Sequence, residues 1–228
     1  DVFTYTVSDG TATDTATITI TITGVNDAPV ATNDAGSVNE DATLSVSNGS
    51  GDIIDNNDTD ADDSASLVVS AVRIGGVEGS GNAGTVGQAL TGTYGQLTLN
   101  ANGSYSYVAN QDAADDLDAS DQVTDVFNYT LSDGTATDTA TITITVTGIN
   151  DAPVADNETG AVNEDATLTV TDGTSDVLHG DTDADDSASL TVSAIRTGAE
   201  DGSGTSGSIG SGLTGTYGTL TLASDGTY

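Results

Sequence analysis

The acids of this chain are spaced in a way that suits a hard cation. Asp58-Thr-Asp60-Ala-Asp62-Asp63 sets carboxylates two residues apart, and the run returns as Asp181-Thr-Asp183-Ala-Asp185-Asp186. In a loop, alternate side chains of such a run can converge on one ion, and an all-oxygen set favours Ca²⁺. The run is not an EF-hand loop. Its sixth position is Asp63 or Asp186 where that loop needs glycine, and its twelfth is Val69 or Val192 where it needs Glu. A solvated acidic turn is the plainer alternative. Catalytic chemistry is poorly supplied: there is no Cys or Lys, and His179 has no counterpart in the first copy of the repeat. That removes most nucleophile and base arrangements.

These acids sit inside a long repeat. Asp1 to Val46 comes back almost letter for letter from Asp125 to Val170, an offset of 124 residues, and the match continues beyond Val46. After Asn57 the offset falls by one, since Asp58 matches Asp181 (181 − 58 = 123). A period of this size indicates tandem domains rather than a solenoid of small units.

Charge narrows the partners. The formal net charge is −34, from 36 acids against two basic residues. Such a polyanion repels nucleic acid and anionic membrane, so neither is expected as a partner. It also repels itself when compact, so bound Ca²⁺ or high salt should screen it. With charged residues at only 17% and many Thr, Val and Ile, the chain is unlike a disordered acidic tail. No apolar run is long enough to span a membrane. Without Cys there are no disulfides, which is compatible with an extracellular bacterial protein.

The elements that must position the acids are strands. Val2 to Ser8 alternates, with Phe3, Tyr5 and Val7 on one face, and Asp9-Gly10 turns it. Thr13 to Thr23 reads TDTATITITIT, with Ala16, Ile18, Ile20 and Ile22 opposite a row of Thr. That alternation predicts a long antiparallel strand with one wet face. Gly24 ends it, and Pro29, in GVNDAPVA, marks a domain junction leading to an edge strand. Short strands are expected at 42–47, 66–74, 96–100 and 104–108, the last two joined by an Asn102-Gly103 turn. Residues 75–92 read as a Gly-rich loop and 111–124 as an acidic loop. No apolar period of a helix is sustained, so almost no helix is expected. Arg73 and its match Arg196 are expected to form ion pairs with nearby carboxylates.

The fold class is therefore all-β, with tandem Greek-key β-sandwiches. The natural unit is residues 25–148. Residues 1–24 are then the last strands of a preceding repeat, and 149–228 the opening of the next. The chain reads as a window on a longer one, or as one whose neighbours supply the missing strands head to tail as a filament.

Several motifs in order resemble the end of a cadherin domain. Tyr5-Thr-Val-Ser-Asp9-Gly is followed by the Thr/Ile strand and then Gly-Val-Asn26-Asp27-Ala-Pro. Val38-Asn-Glu40-Asp41 resembles that family's early Glu motif, and Asp58-Thr-Asp60 its Asp-x-Asp. With Thr-Tyr-Gly-x-Leu-Thr-Leu and Asp-Gly-Thr-Tyr, the pattern is similar to cadherin-like, VCBS-type repeats of large secreted bacterial adhesins of the RTX type. The resemblance implies Ca²⁺ between consecutive domains. One junction would use Asn26, Asp27, Asp58, Asp60 and Asp133, with a Glu from the preceding repeat. The next would use Glu40, Asn150, Asp151, Asp181 and Asp183. Asp9, Asp41, Asp62, Glu164, Asp165 and Asp185 occupy matching places in the motifs. Two departures suggest fewer or weaker ions: Gly24 or Gly148 where the linker usually opens with Asp, and Ala28 or Ala152 in place of its second Asn.

On this basis the expected role is a non-catalytic extender at the cell surface or secreted, Ca²⁺-stiffened and supporting adhesion and biofilm. Its partners would be neighbouring repeats of the same chain. A glycan-binding module using residues 75–92 is the alternative, although that loop holds no aromatic residue before Tyr94. A carboxylate glycosidase would need two acids across a cleft, about 5 to 9.5 Å apart.

Overall fold

The computed structural model describes residues 1–49, 51–54, 57–62, 66–171, 173–185, 187–200 and 202–228; Asp63 and Asp186 of the acidic runs therefore lie outside the described residues. In chain order the strands are β1 (Val2–Ser8), β2 (Thr13–Thr19), β3 (Asp34–Asn39), β4 (Thr43–Val46), β5 (Val68–Ile74), β6 (Ala89–Thr91), β7 (Gln96–Leu99) and β8 (Tyr105–Val108). A short helix α1 (Asp112–Asp115) precedes β9 (Gln122–Ser132) and β10 (Thr137–Thr147). Four short strands follow: β11 (Ile195–Arg196), β12 (Ser206–Gly207), β13 (Gly212–Thr214) and β14 (Thr219–Thr221).

The chain is all-β, and its centre is a β-sandwich. One sheet has the order β3-β10-β9-β5 and the other β4-β8-β7-β6. Alternation explains the core between them. Phe127, Tyr129 and Leu131 of β9 point inward with Ala140, Ile142, Ile144 and Val146 of β10. They meet Leu97, Leu99, Tyr105 and Tyr107 from the other sheet, and all are buried. Tyr107 and Phe127 meet edge to face, with centroids 6.4 Å apart. Burying each such side chain contributes about 1.5–3 kcal/mol. The Thr residues of β10 take the outer positions, as the period-2 pattern requires.

β3 runs parallel to β10, from Asp34 beside Ile142 to Asn39 beside Thr147. A close approach lets the chain then cross to the second sheet: a Cβ on Gly36 would lie 2.7 Å from Leu44 and 3.0 Å from Ile144. Glu40 N–H donates to the Thr147 carbonyl at 3.0 Å, and Asp41 takes φ 58°. That turn aims β4 at β8.

The hairpin β1–β2 pairs in the register of β9–β10, Phe3 beside Ile18 as Phe127 is beside Ile142. Among the described residues it pairs with no further strand, and its Phe3, Tyr5, Val7 and Ile18 are exposed, as are Ile20 and Ile22 beyond it. The expected strand to Thr23 stops at Thr19, whereas the matching β10 continues to Thr147. The matching Thr145, Val146 and Thr147 pair with Thr124, Val123 and Gln122 of β9 as well as with β3, and the counterparts of those β9 residues would lie before Asp1.

Three details differ from the sequence expectation. β6 lies within the Gly-rich stretch, and α1 lies within the acidic loop. Arg73 Nη1 donates to the Gly81 carbonyl at 3.2 Å, and Arg196 Nη1 to the Gly204 carbonyl at 3.5 Å; the expected ion pairs are not seen among the described residues. Asn128, fully buried, ties the same loop down by donating to the carbonyls of Gly75 and Ser80 and accepting from Gly79 N–H.

Candidate metal centre

Glu40 is positioned by the end of β3 and is 1% exposed. Its Oε1 accepts the N–H of Ile149 at 2.5 Å, at the start of the next repeat's linker. Its Oε2 is buried and has no hydrogen-bond partner among the described residues. Burial raises the Glu40 pKa above its ordinary value, and the nearby charges of Asp151, Asp185 and Asp41 raise it further.

The linker and the second acidic run approach from the other side. Asp151 N–H donates to Asp185 Oδ2 at 3.1 Å, and Asp185 N–H donates to Asp183 Oδ1 at 3.1 Å. Asn150 Nδ2 donates to the Asp151 carbonyl. Asp185 Oδ1, like Glu40 Oε2, is buried with no partner among the described residues.

Helix α1 adds acids that sequence reasoning left in an undifferentiated loop. Ala114 is fully buried and pins the helix to the core. Burial raises the Asp115 pKa, and the charges of Asp41, Asp112, Asp151 and Asp116 add to it. Asp118 then reaches the next repeat and accepts from Ser187 N–H at 3.1 Å and from the Ser187 hydroxyl. Gly148 allows this approach: a Cβ there would stand 2.2 Å from the Asp118 carbonyl oxygen. That explains the glycine where the resemblance led one to expect Asp. The available signal was the spacing of acids in Asp112-Ala-Ala-Asp115-Asp116-Leu-Asp118.

The first copy of the linker shows the same local bonds. Asp27 N–H donates to Asp62 Oδ2 at 3.0 Å, and Asp62 N–H to Asp60 Oδ1 at 2.8 Å. Asn26 Nδ2 donates to Asp133 Oδ2 at 2.9 Å. The N–H groups of Thr135 and Ala136 hold the other oxygen of Asp133, and with Asn26 they lower its pKa. Asp60 Oδ2 and Asp58 Oδ2 are further buried oxygens with no partner among the described residues.

Not every expected residue joins these groups. Asp58 and Asp181 turn toward their own repeats. Asp58 Oδ1 accepts from Thr32 N–H at 2.7 Å, and burial raises its pKa. Asp181 Oδ1 accepts from Asp156 N–H, and its carboxylate lies with those of Asp156 and Glu158, whose oxygens are all within 4.8 Å of one another. Asp156 and Glu158 were not singled out by the sequence, because the first copy has Thr32 and Asp34 there. Asp9 holds its own turn, accepting from Thr11 and Ala12 N–H at 2.7 Å. Glu164 and Asp165 are exposed, and residues 157–163 form no strand to place them as β3 places Glu40.

Around Glu40 the ligand atoms among the described residues are all oxygens, with no His or thiolate, and two of them, Glu40 Oε2 and Asp185 Oδ1, are buried and unsatisfied. That set suits a hard divalent cation and would leave a soft one poorly served.

The bacterial cadherin-like domain family matches residues 26–148. The chain belongs to that family. Cadherin-like domains are generally non-catalytic and commonly bind calcium, and the bacterial ones are typically extracellular. No described helix is long and apolar enough to cross a membrane. No curated protein matches the chain. Among solved structures it is similar to "Endo-fucoidan hydrolase MfFcnA4 from glycoside hydrolase family 107", with 21% identity and a TM-score of 0.26, over 65% of this chain. It spans 18% of that enzyme.

Proposed function

We propose that this chain is a run of non-catalytic extender repeats from a large secreted adhesin or matrix filament, stiffened by Ca²⁺ between successive repeats. Residues 25–148 form one whole repeat in this reading, with 1–24 closing the repeat before it and 149–228 opening the one after. Glu40, Asp41, Asn150, Asp151, Asp183 and Asp185 would hold the cation, with Asp115 and Asp116 at its rim. Asn26, Asp27, Asp60, Asp62 and Asp133 would form the preceding junction, with Asp58 bracing it from its own repeat. Asp9 and Glu164 match Asp133 and Glu40 and would serve the adjoining junctions.

The buried Glu40 carboxylate is the observation that carries this reading. One oxygen is tied across the junction to Ile149, the other is buried with no hydrogen-bond partner among the described residues, and the charges of Asp151, Asp185 and Asp41 are near. Burying like charges together costs free energy unless a cation offsets it. Bound Ca²⁺ would supply that opposite charge. The protein's own contribution is to hold acids from two repeats on rigid elements, so that clamping them fixes the angle between repeats. A straight array of such repeats would carry a distal binding domain away from the cell and support adhesion and biofilm.

Thermal unfolding in Ca²⁺ and in chelator, at one fixed ionic strength, tests this. At about 100-fold excess over Kd, binding to the folded state alone stabilises by ~2.7 kcal/mol. Glu40→Gln should lose most of that gain while remaining folded in chelator. Equal midpoints in Ca²⁺ and in matched Na⁺ would mean that the acids only coat a salt-adapted surface.

A further inference from the structure

The acids gathered between the repeats repel one another, yet one contact there is attractive without a cation. Asp118 Oδ1 accepts from the Ser187 N–H at 3.1 Å, and its Oδ2 accepts from the Ser187 hydroxyl. Both oxygens of the carboxylate thus face donors of the following repeat. Hydrogen bonds to an ionised acceptor are among the stronger ones.

Both sides of the contact are held in place. Leu117, just before Asp118, is buried in the core. The turn after it is laced to the linker. Ser120 N–H donates to the Gly148 carbonyl at 3.0 Å, Gly148 N–H to the Asp121 carbonyl at 2.9 Å, and Asp121 N–H to the Asp118 carbonyl at 2.9 Å. Ser120 takes φ 78°, a region that a residue with a side chain adopts rarely and only where its surroundings hold it. Gly148 leaves no room for a Cβ, which would stand 2.9 Å from Leu117 Cβ as well as 2.2 Å from the Asp118 carbonyl oxygen. On the other side, Ser187 lies two residues after Asp185, in a turn where Ala188 N–H donates to the Asp185 carbonyl at 3.1 Å.

We propose that Asp118 is a positioning residue that clasps the following repeat and sets its direction without a cation. The clasp holds the turn bearing Asp183 and Asp185 against the end of the repeat bearing Glu40, so these acids are presented together whether or not an ion is bound. Its partner is the next repeat of the same chain, recognised by a backbone N–H and a hydroxyl on one residue. The receiving pair recurs in the sequence: Gly24 and Ser64 stand where Gly148 and Ser187 do (187 − 64 = 123). Domains joined by a short linker move relative to one another unless contacts between them prevent it. Here hydrogen bonds supply that contact, so the clasp goes beyond the Ca²⁺ reading and does not depend on it.

The test is the distance between two spin labels on the full 228-residue chain, measured by double electron–electron resonance in chelator. The chain has no Cys, so Ala35→Cys and Ser208→Cys, both at exposed positions, take one label each. With Asp118 in place the expected result is one narrow distance. Asp118→Ala removes both acceptors and should roughly double the width of the distribution. Gly148→Ala, which blocks the approach, should broaden it as well. Asp118→Asn keeps an oxygen for the Ser187 N–H and should restore part of the narrowing, which a role through negative charge alone would not. Asp118→Ala should leave the unfolding midpoint of residues 25–148 unmoved, since among the described residues its carboxylate bonds only to Ser187. A broad distribution with Asp118 in place, or a width unmoved by Asp118→Ala, would overturn the proposal. Absence of the Ca²⁺ shift in unfolding, with the clasp behaving as expected, would sink only the metal reading.

Discussion

The same hairpin occurs twice in this chain under different circumstances. In β9–β10, sheets above and beside it bury Phe127, Tyr129 and Ile144. In β1–β2, the matching Phe3, Tyr5 and Ile20 are about half exposed. Register is nonetheless the same in both, and so is the Asp-capped turn. Strand pairing here is thus a local property of the Thr/Ile alternation and of the turn. Burial, by contrast, is decided by what lies across the sandwich.

The largest break in that comparison should come from the core. Phe127→Ala is expected to cost about 3–5 kcal/mol, while Phe3→Ala should leave the unfolding midpoint of the complete repeat unmoved. Chemical denaturation of the two variants side by side checks it. Next is Asp125, which is 4% exposed and accepts from Thr93, Tyr94 and the Tyr107 hydroxyl. Asp125→Ala strands those donors and should cost roughly 2–4 kcal/mol, since each orphaned buried group costs about 1–3 kcal/mol. Asp1→Ala should leave the unfolding midpoint of residues 25–148 unmoved, since Asp1 is exposed on the separate hairpin.

The junction gives a smaller, pH-dependent effect. Burial and like charge raise the pKa values of Glu40, Asp58 and Asp115 in the folded state. The folded protein therefore binds more protons than the unfolded chain just above their ordinary values. Their stabilising effect is present at lower pH and is lost as pH rises through the raised values. In chelator the midpoint should fall between about pH 4.5 and neutrality, and Glu40→Gln should flatten that slope. Exposed Asp133, whose pKa is lowered, acts in the opposite sense only at more acid pH, below the ordinary carboxylate range, so a midpoint that rises between about pH 4.5 and neutrality would contradict the expectation. The smallest effect is on the outer face of β10. Thr143→Val there should stay within about 0.5 kcal/mol.

Much of this architecture was legible. Alternation in Phe127 to Leu131 and in Ala140 to Val146 marks the core strands, and Asn102-Gly103 marks their neighbour's turn. What could not be read depends on contacts distant in sequence. β3 lacks a clean apolar alternation, because its Asp34, Gly36 and Glu40 are chosen for a hydroxyl, a close approach and a junction. The acids of α1 look like any acidic loop until Ala114 is seen to anchor them. Asp58 and Asp60 share one motif, yet Asp58 turns to Thr32 while Asp60 holds the amide of Asp62. Spacing identified the ligand types but not which way each carboxylate faces.

The parallel pairing of β3 with β10 has a mechanical consequence. The chain comes in at the start of β3 and goes out at the end of β10, at opposite ends of one ladder that pairs Asp34–Asn39 with Ile142–Thr147. A pull applied between Asp34 and Thr147 would therefore slide these two strands past each other. The six paired positions are loaded together, rather than peeled apart one at a time. Residues 25–148 should therefore resist a pull between their two ends more strongly than one that peels β3 from β10 at a single end.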